Sequence, residues 1–203
     1  MIAVPYDNRI FCETRMTHNV AARTGGATRG RILNAAILRF ARSSYETVGL
    51  RDIAADARVD VAYVHRCFGS KERLFAESLE ATMEPAKLFA GPAGDIADFL
   101  AKQIFARDGG RGRNTVGPLD IIVRSLSSSE ASRVLREFTR DDIIRPLAEK
   151  IGQEADTRAA VITALLAGIG ILRNVLRIDP LTEVEGGELE KLITQTISGI
   201  IAA

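Results

Sequence analysis

The run Leu50-Arg51-Asp52-Ile53-Ala54-Ala55-Asp56-Ala57-Arg58-Val59-Asp60-Val61-Ala62-Tyr63-Val64-His65-Arg66-Cys67-Phe68-Gly69-Ser70 decides how this chain is read. Leu50, Ile53, Ala54 and Ala57 recur at the spacing of one helical face. Arg58-Val59 breaks that pattern. Asp60 then has the form of an N-cap, its carboxylate accepting from free backbone N–H groups. A second helix follows over about residues 61–67, with Val64 and Phe68 turned inward. Gly69 ends it, and Ser70 caps a further helix with Lys71 and Glu72 in its first turn. Helices this short are marginal alone. They persist only when pinned by neighbours, here an earlier helix through Phe40 and a later one through Leu74. That is the design of a helix-turn-helix, which holds one short helix out for a DNA major groove.

Outward from this run, helical periodicity dominates. Leu33, Ala36, Ile37 and Phe40 mark a helix over residues 28–45. Residues 1–27 are polar and mixed and read as a flexible arm, with Met16 an alternative start. Further helices are expected over 70–84, 95–106, 118–127, 130–151, 157–177 and 188–201. Gly- and Pro-bearing breaks separate them, and residues 108–114 read as a mobile loop. The expected fold is all-α with about nine helices. A three-helix DNA-binding domain (28–75) precedes a longer helical domain (76–203).

Composition narrows the class. An apolar fraction of 46% in 203 residues is that of a globular protein. Cys12 and Cys67 form no disulfide framework, so a cytoplasmic location is the default. No metal or cofactor motif accompanies them. The longest apolar run, residues 159–172, contains Thr163 and falls short of the ~20 residues a membrane span needs. It reads as a buried helix, and no secretory leader is visible. The net charge of +1 hides an asymmetry. Residues 1–75 hold 12 basic against 7 acidic side chains, and the remainder is acidic by four. A basic end on an acidic body points to a polyanion partner.

Residues 39–54, Ala57-Arg58-Val59-Asp60 and Phe68-Gly69-Ser70-Lys71-Glu72-Arg73-Leu74 resemble, in order and spacing, the opening of the tetracycline-repressor (TetR) family. The resemblance covers about residues 28–75. Residues 172–181 resemble, more weakly, one subgroup's penultimate helix end. The resemblance implies an all-helical dimer with three N-terminal DNA-binding helices. It also implies a small-molecule pocket within the later helices and pairing of the last two helices between subunits. The chain departs from the family at several positions. Val48 stands where a capping Ser or Thr is usual, so Thr47 takes that role or the phosphate contact is unmade. Arg58 replaces a frequent Gly and Val61 a frequent Lys. His65 and Cys67 replace two aromatics.

The expected DNA-facing set is Thr47, Arg51, Val61, Ala62, Tyr63, His65, Arg66 and Lys71, with Arg29 a minor-groove arm or part of a disordered tail. Tyr63 can touch a thymine methyl and hydrogen-bond a base. Arg51, Arg66 and Lys71 suit phosphates, adding salt-dependent affinity rather than sequence choice. Pocket candidates are Phe99, Gln103, Ile104, Ile122, Arg124, Leu126, Phe138 and Leu147, with Gln103 and Arg124 as polar groups that can orient a ligand. Leu189, Leu192, Ile193, Thr196, Ile197 and Ile200 form a stripe on the last helix. With Ala167, Gly168 and Ile171 they are the dimer candidates. His18 and His65 are the only histidines and neither has a nucleophile or acid at catalytic spacing, so an enzyme is not expected. The competing class is a helical partner-binding or structural module without sequence-specific DNA binding. The ordered motifs and the basic end count against it.

Overall fold

The computed structural model of the protein describes residues 10–105, 116–182 and 186–203, with side chains from Gly26 onward except at residue 93. The expected loop at 108–114 lies outside these residues. Helices carry the architecture, and no strand occurs among the described residues.

Helix α1 spans Ile10–Arg42. It absorbs most of the segment expected to be a flexible arm. No proline interrupts it, and a helical Gly such as Gly26 costs only about 1 kcal/mol relative to Ala. Its buried stripe is Ile32, Ala36 and Phe40, all fully enclosed, with Leu33 and Ile37 at the margins. A 3₁₀ turn at Tyr45–Thr47 leads into α2 (Leu50–Asp56), α3 (Val61–Phe68) and α4 (Lys71–Met83). Phe40, Tyr45 and Phe75 meet at the centre of this end. Phe75 stands edge-on to both other rings at 5.0 and 5.1 Å, and Phe40 stacks on Tyr45 at 5.9 Å. Each such ring contributes about 1.5–3 kcal/mol through burial, with aromatic pairing in addition.

Pro85 opens a short helix α5 (Pro85–Leu88) that the sequence reading merged into the break. The residue before a proline is pushed out of the α region. Glu84 accordingly sits left-handed at φ 49°, ending α4 and starting α5. The body continues with α6 (Ile96–Phe105), α7 (Pro118–Ser125) and α8 (Ser129–Phe138). The helix expected over 130–151 is interrupted by a π turn at Thr139–Ile144, and α9 (Arg145–Ile151) follows. Pro146 supplies the reason. It lacks an N–H and its ring crowds the carbonyl four residues back, so the regular ladder cannot pass through it. Helix α10 (Asp156–Gly170) likewise ends in a π turn, Ile171–Val175, before α11 (Glu188–Ala202).

Two apolar cores result. One joins α1 to α4 with α7 and α8, through Ile121, Val134 and Phe138. The expected division at residue 75 therefore falls inside α4, and one core spans it. The other core unites α6, α9, α10 and α11 through Leu100, Phe105, Leu147, Ile162, Ile193 and Ile197. The segment Asp156–Val175, at 20 residues and mean hydropathy 1.5, has the length and composition to cross a membrane. The expectation of a buried helix holds only in part, because 22% of its span is buried in the single chain.

Candidate functional site

The helix-turn-helix is fixed by caps that the sequence announces. Asp60 Oδ1 accepts from the Ala62 amide at 2.7 Å, which starts α3. Arg58, in the turn before it, adopts φ 54°. This is the left-handed conformation that favours glycine. At the far end of α3, Gly69 takes φ 79° and His65 Nδ1 donates to its carbonyl at 3.1 Å. Ser70 Oγ accepts from the Arg73 amide to begin α4. Val64 and Phe68 are buried, which turns the opposite side of α3 outward.

That outer side carries Ala62, His65 and Arg66, all exposed. Val61, Tyr63 and Cys67 are half-buried and pack on the core margin. Tyr63 is thus less free than a reading side chain was expected to be. The Arg66 guanidinium lies over its ring at 5.1 Å, joining the two into one unit. Lys71 lies at the start of α4 with its Nζ 4.1 Å from the Tyr45 ring centroid. Arg51 is exposed on α2.

Two expected contacts are placed differently. Thr47 does not cap α2: its hydroxyl donates to the Ser44 carbonyl at 2.9 Å. The cap is Gly49, whose amide donates to Asp52 at 3.3 Å, while Val48 is buried. Arg29 is neither a free arm nor a tail. It pairs with Glu77 at 2.5 Å and lies over the Phe68 ring at 4.5 Å, fastening α1 to α3 and α4. The continuation of α1 through this residue explains the change. Sequence reasoning also missed Arg39, whose Nε and Nη2 grip Asp56 at 2.5 and 2.9 Å. With Arg31, Arg42 and Arg58 it lines an open groove beside the turn after α2. Arginines at helical spacing in α1, near a turn, were the available signal.

In the body, a partly open cavity of about 230 Å³ is lined by α4 to α7, α9, α10 and both π turns. Of the expected residues, Gln103, Ile104, Ile122 and Leu147 line it. The other four do not. Phe99 packs against Gly91, Phe138 is core between α8 and its neighbours, and Arg124 and Leu126 are exposed. Helical phase separates these positions, since α7 turns Ile122 inward and Arg124 outward. Unexpectedly, Ala167 and Ile171 line the cavity, as do Thr139, Thr163 and Asn174. For Thr163 the signal was subtle: an isolated polar side chain in an apolar helix.

The dimer candidates also divide. Leu189, Ile193 and Ile197 are buried within the chain, where α11 packs on α6. Ala167 and Ile171 turn to the cavity rather than outward. Gly168, Leu192 and Thr196 are exposed, and Ile200 is half-buried. The exposed apolar side chains of this end are Val161 (49%), Leu172 (41%), Leu176, Ile178 and Leu192 (53%). No cluster of three or more His, Cys, Asp or Glu side chains suited to a metal occurs among the described residues.

Comparison with known proteins agrees with this geometry. Residues 32–78 match the model of bacterial regulatory proteins of the tetR family, and residues 95–201 match a tetracyclin repressor-like C-terminal domain. The HTH-type transcriptional repressor SCO4008 of Streptomyces coelicolor is 39% identical over 64 residues, 32% of this chain and 33% of its own length. The chain thus spans about a third of the length of that relative. Among solved structures, the TetR-family regulator SCO0857 of Streptomyces coelicolor aligns over 87% of this chain and 95% of its own, at TM-score 0.65 and 23% identity. Salmonella enterica GusR aligns over 87% and 96%, at TM-score 0.67 and 17% identity. The multidrug binding protein EbrR, in complex with ethidium, aligns over 85% and 97%, at TM-score 0.58 and 18% identity. By its helix-turn-helix, its helical body and these matches, the chain belongs to the TetR family of DNA-binding transcriptional regulators.

Proposed function

We propose that this regulator is a dimeric repressor that holds a near-palindromic operator and releases it when a small molecule fills the cavity of the body. The observation that carries the reading is the shared core. The same apolar cluster that seats α3 continues through α4 into α7 and α8. Ile122, on α7, packs on that cluster and also lines the cavity. A ligand that displaces these walls has a mechanical route to the reading helix. Release is a population shift, in which the effector must bind the non-DNA conformation better. A coupling of about 1–3 kcal/mol is typical. The structural relative EbrR was solved with ethidium and with proflavin, which fits an effector role for this part of the fold. Such a protein acts in the cytoplasm without catalysis.

Selection of bound fragments from the encoding genome, with bulk DNA as competitor at moderate salt, tests the reading. The expected result is one or a few near-palindromic sites that outcompete bulk DNA and weaken steeply with salt. If no genomic sequence outcompetes bulk DNA, the repressor reading fails.

A further inference from the structure

We infer that the cavity in the body selects an uncharged, largely apolar ligand carrying one hydrogen-bonding end, and rejects organic cations and anions. This inference rests on the reading above of the cavity as the effector site. Its lining contains no Asp, Glu, Lys, Arg or His. An ion entering it would lose its water and meet no counter-charge. Arg173 and Lys102, next in sequence to the lining residues Asn174 and Gln103, turn elsewhere. Arg173 lies over the Phe105 ring at 4.6 Å and donates to the Leu181 carbonyl, and Lys102 pairs with Asp98 at 2.7 Å.

The polar groups present are of the neutral kind. The Thr163 hydroxyl is already spent on the Ala159 carbonyl at 2.8 Å. The Gln103 amide and Thr139 hydroxyl make no hydrogen bond among the described residues. Each lines an otherwise apolar wall, and Thr139 opens one of the two π turns that border the cavity. Such turns recur at functional sites. The Gln103 and Thr139 side chains are half-buried, so a ligand that covers them displaces their water and must satisfy them in its place. Gln103 and Thr139 each offer both a donor and an acceptor, so a hydroxyl, amine or carbonyl end fits. The volume, about 230 Å³, lies below the usual range of ligand sites and limits the ligand to a compact ring system or short chain.

Three probes of one tricyclic frame test this on the full-length protein at pH 8: neutral 1-aminoanthracene, cationic proflavin and anionic anthracene-9-carboxylate. Fluorescence titration and thermal shift should show saturable binding of the neutral probe, at least tenfold tighter than either ion. Gln103→Glu should invert the order, raising proflavin affinity at least tenfold over wild type. Proflavin or the carboxylate binding wild type as tightly as 1-aminoanthracene overturns the inference, as does no saturable binding of the neutral probe. The wild-type comparison stands if the variant fails to fold. Binding of the neutral probe without loss of operator binding leaves this selectivity intact and removes the effector role instead.

Discussion

His65 Nδ1 donates to the carbonyl oxygen of Gly69 at 3.1 Å, so one side chain of the exposed face of α3 also closes the turn into α4. A carbonyl only accepts, and the neutral ring therefore carries its proton on Nδ1. His65→Ala should lower stability by about 1 kcal/mol, the typical worth of one such bond. His65→Asn places an amide N–H near the same point. It should recover most of that loss in a thermal melt while changing operator preference. Equal melting losses in the two variants would dismiss the turn-closing role.

Tyr63 and Arg66 act as a pair, with the guanidinium over the ring at 5.1 Å. Tyr63→Ala should change which operator variants bind best if Tyr63 reads bases as proposed, and it should also unseat Arg66. Lys71→Ala should weaken all sequences alike and reduce the salt slope by about one. It should also cost about 0.5–1 kcal/mol of stability through the lost contact with Tyr45. Competition binding over a salt series separates the two. A uniform loss from Tyr63→Ala would take it out of base reading.

Arg58 holds φ 54° in the turn between α2 and α3. For a side-chain-bearing residue the left-handed region costs about 1–2 kcal/mol, partly offset by glycine's greater unfolded freedom. Arg58→Gly should therefore raise stability by about 0.5–1 kcal/mol, seen as a higher urea midpoint at unchanged slope. Arg58→Val should lower it by more than 1 kcal/mol, since a branched side chain tolerates this conformation worst. An unchanged midpoint for both would remove the strain.

The reading of 50–70 in the sequence survived because local physics dominates there. Asp60, Gly69 and Ser70 cap by contacts within three or four residues, and Val64 and Phe68 obey one period. The expected bounds of the helices at 118–127 and 188–201 lie within two residues of α7 and α11 for the same reason, whereas those at 130–151 and 157–177 are broken by π turns. What failed depends on partners distant in sequence. Arg29 is fixed by Glu77, 48 positions away, and no local pattern announces that pair. Phe99 as an apolar lining candidate and Arg124 as a polar residue in an apolar stretch both fit the pattern, but helical phase against neighbours decides which side faces the cavity. The π turn at Thr139–Ile144 is local in cause, and Pro146 was its visible sign.

Glu72 on α4 and Glu130 on α8 influence each other where the two helices pack. The Ser70 hydroxyl and then Glu130 hold Glu72 down at about 2, below its ordinary 4.5. Glu130 is pushed up, first by its hydrogen bond with Glu72. The signs follow from the folded state's preference for each form. Glu72 supports folding above its ordinary range and loses that support as pH falls toward 2. Glu130, with its affinity for the proton raised, favours folding most while protonated, so its ionised form opposes folding. Glu130→Gln should raise the melting temperature at pH 7, and the gain should vanish by about pH 4. A gain independent of pH would place the effect in packing instead.

Val161 and Leu172 on the α10 segment and Leu192 on α11 are 49%, 41% and 53% exposed, and Gly168 on the same segment is also exposed. Val161, Gly168 and Leu172 are spaced at seven and four residues, which places them on one side of the helix. The buried stripe of α11, Leu189, Ile193 and Ile197, faces α6 and so leaves Leu192 outward. An apolar surface of this kind marks an interaction site on a soluble protein. A second copy is the expected occupant, because a two-fold axis would present Gly168 to its equivalent and let the helices approach closely. If the proposed dimer forms through this surface, wild type should sediment as a dimer at micromolar concentration, and Leu192→Asp combined with Val161→Asp should sediment as a monomer. The melting temperature of the monomer should fall modestly, since these side chains contribute little to the core of their own chain. Affinity for a full two-half operator should drop at least a hundredfold, whereas binding to a single half-site should change little. A double variant that stays dimeric would move the subunit interface to another face.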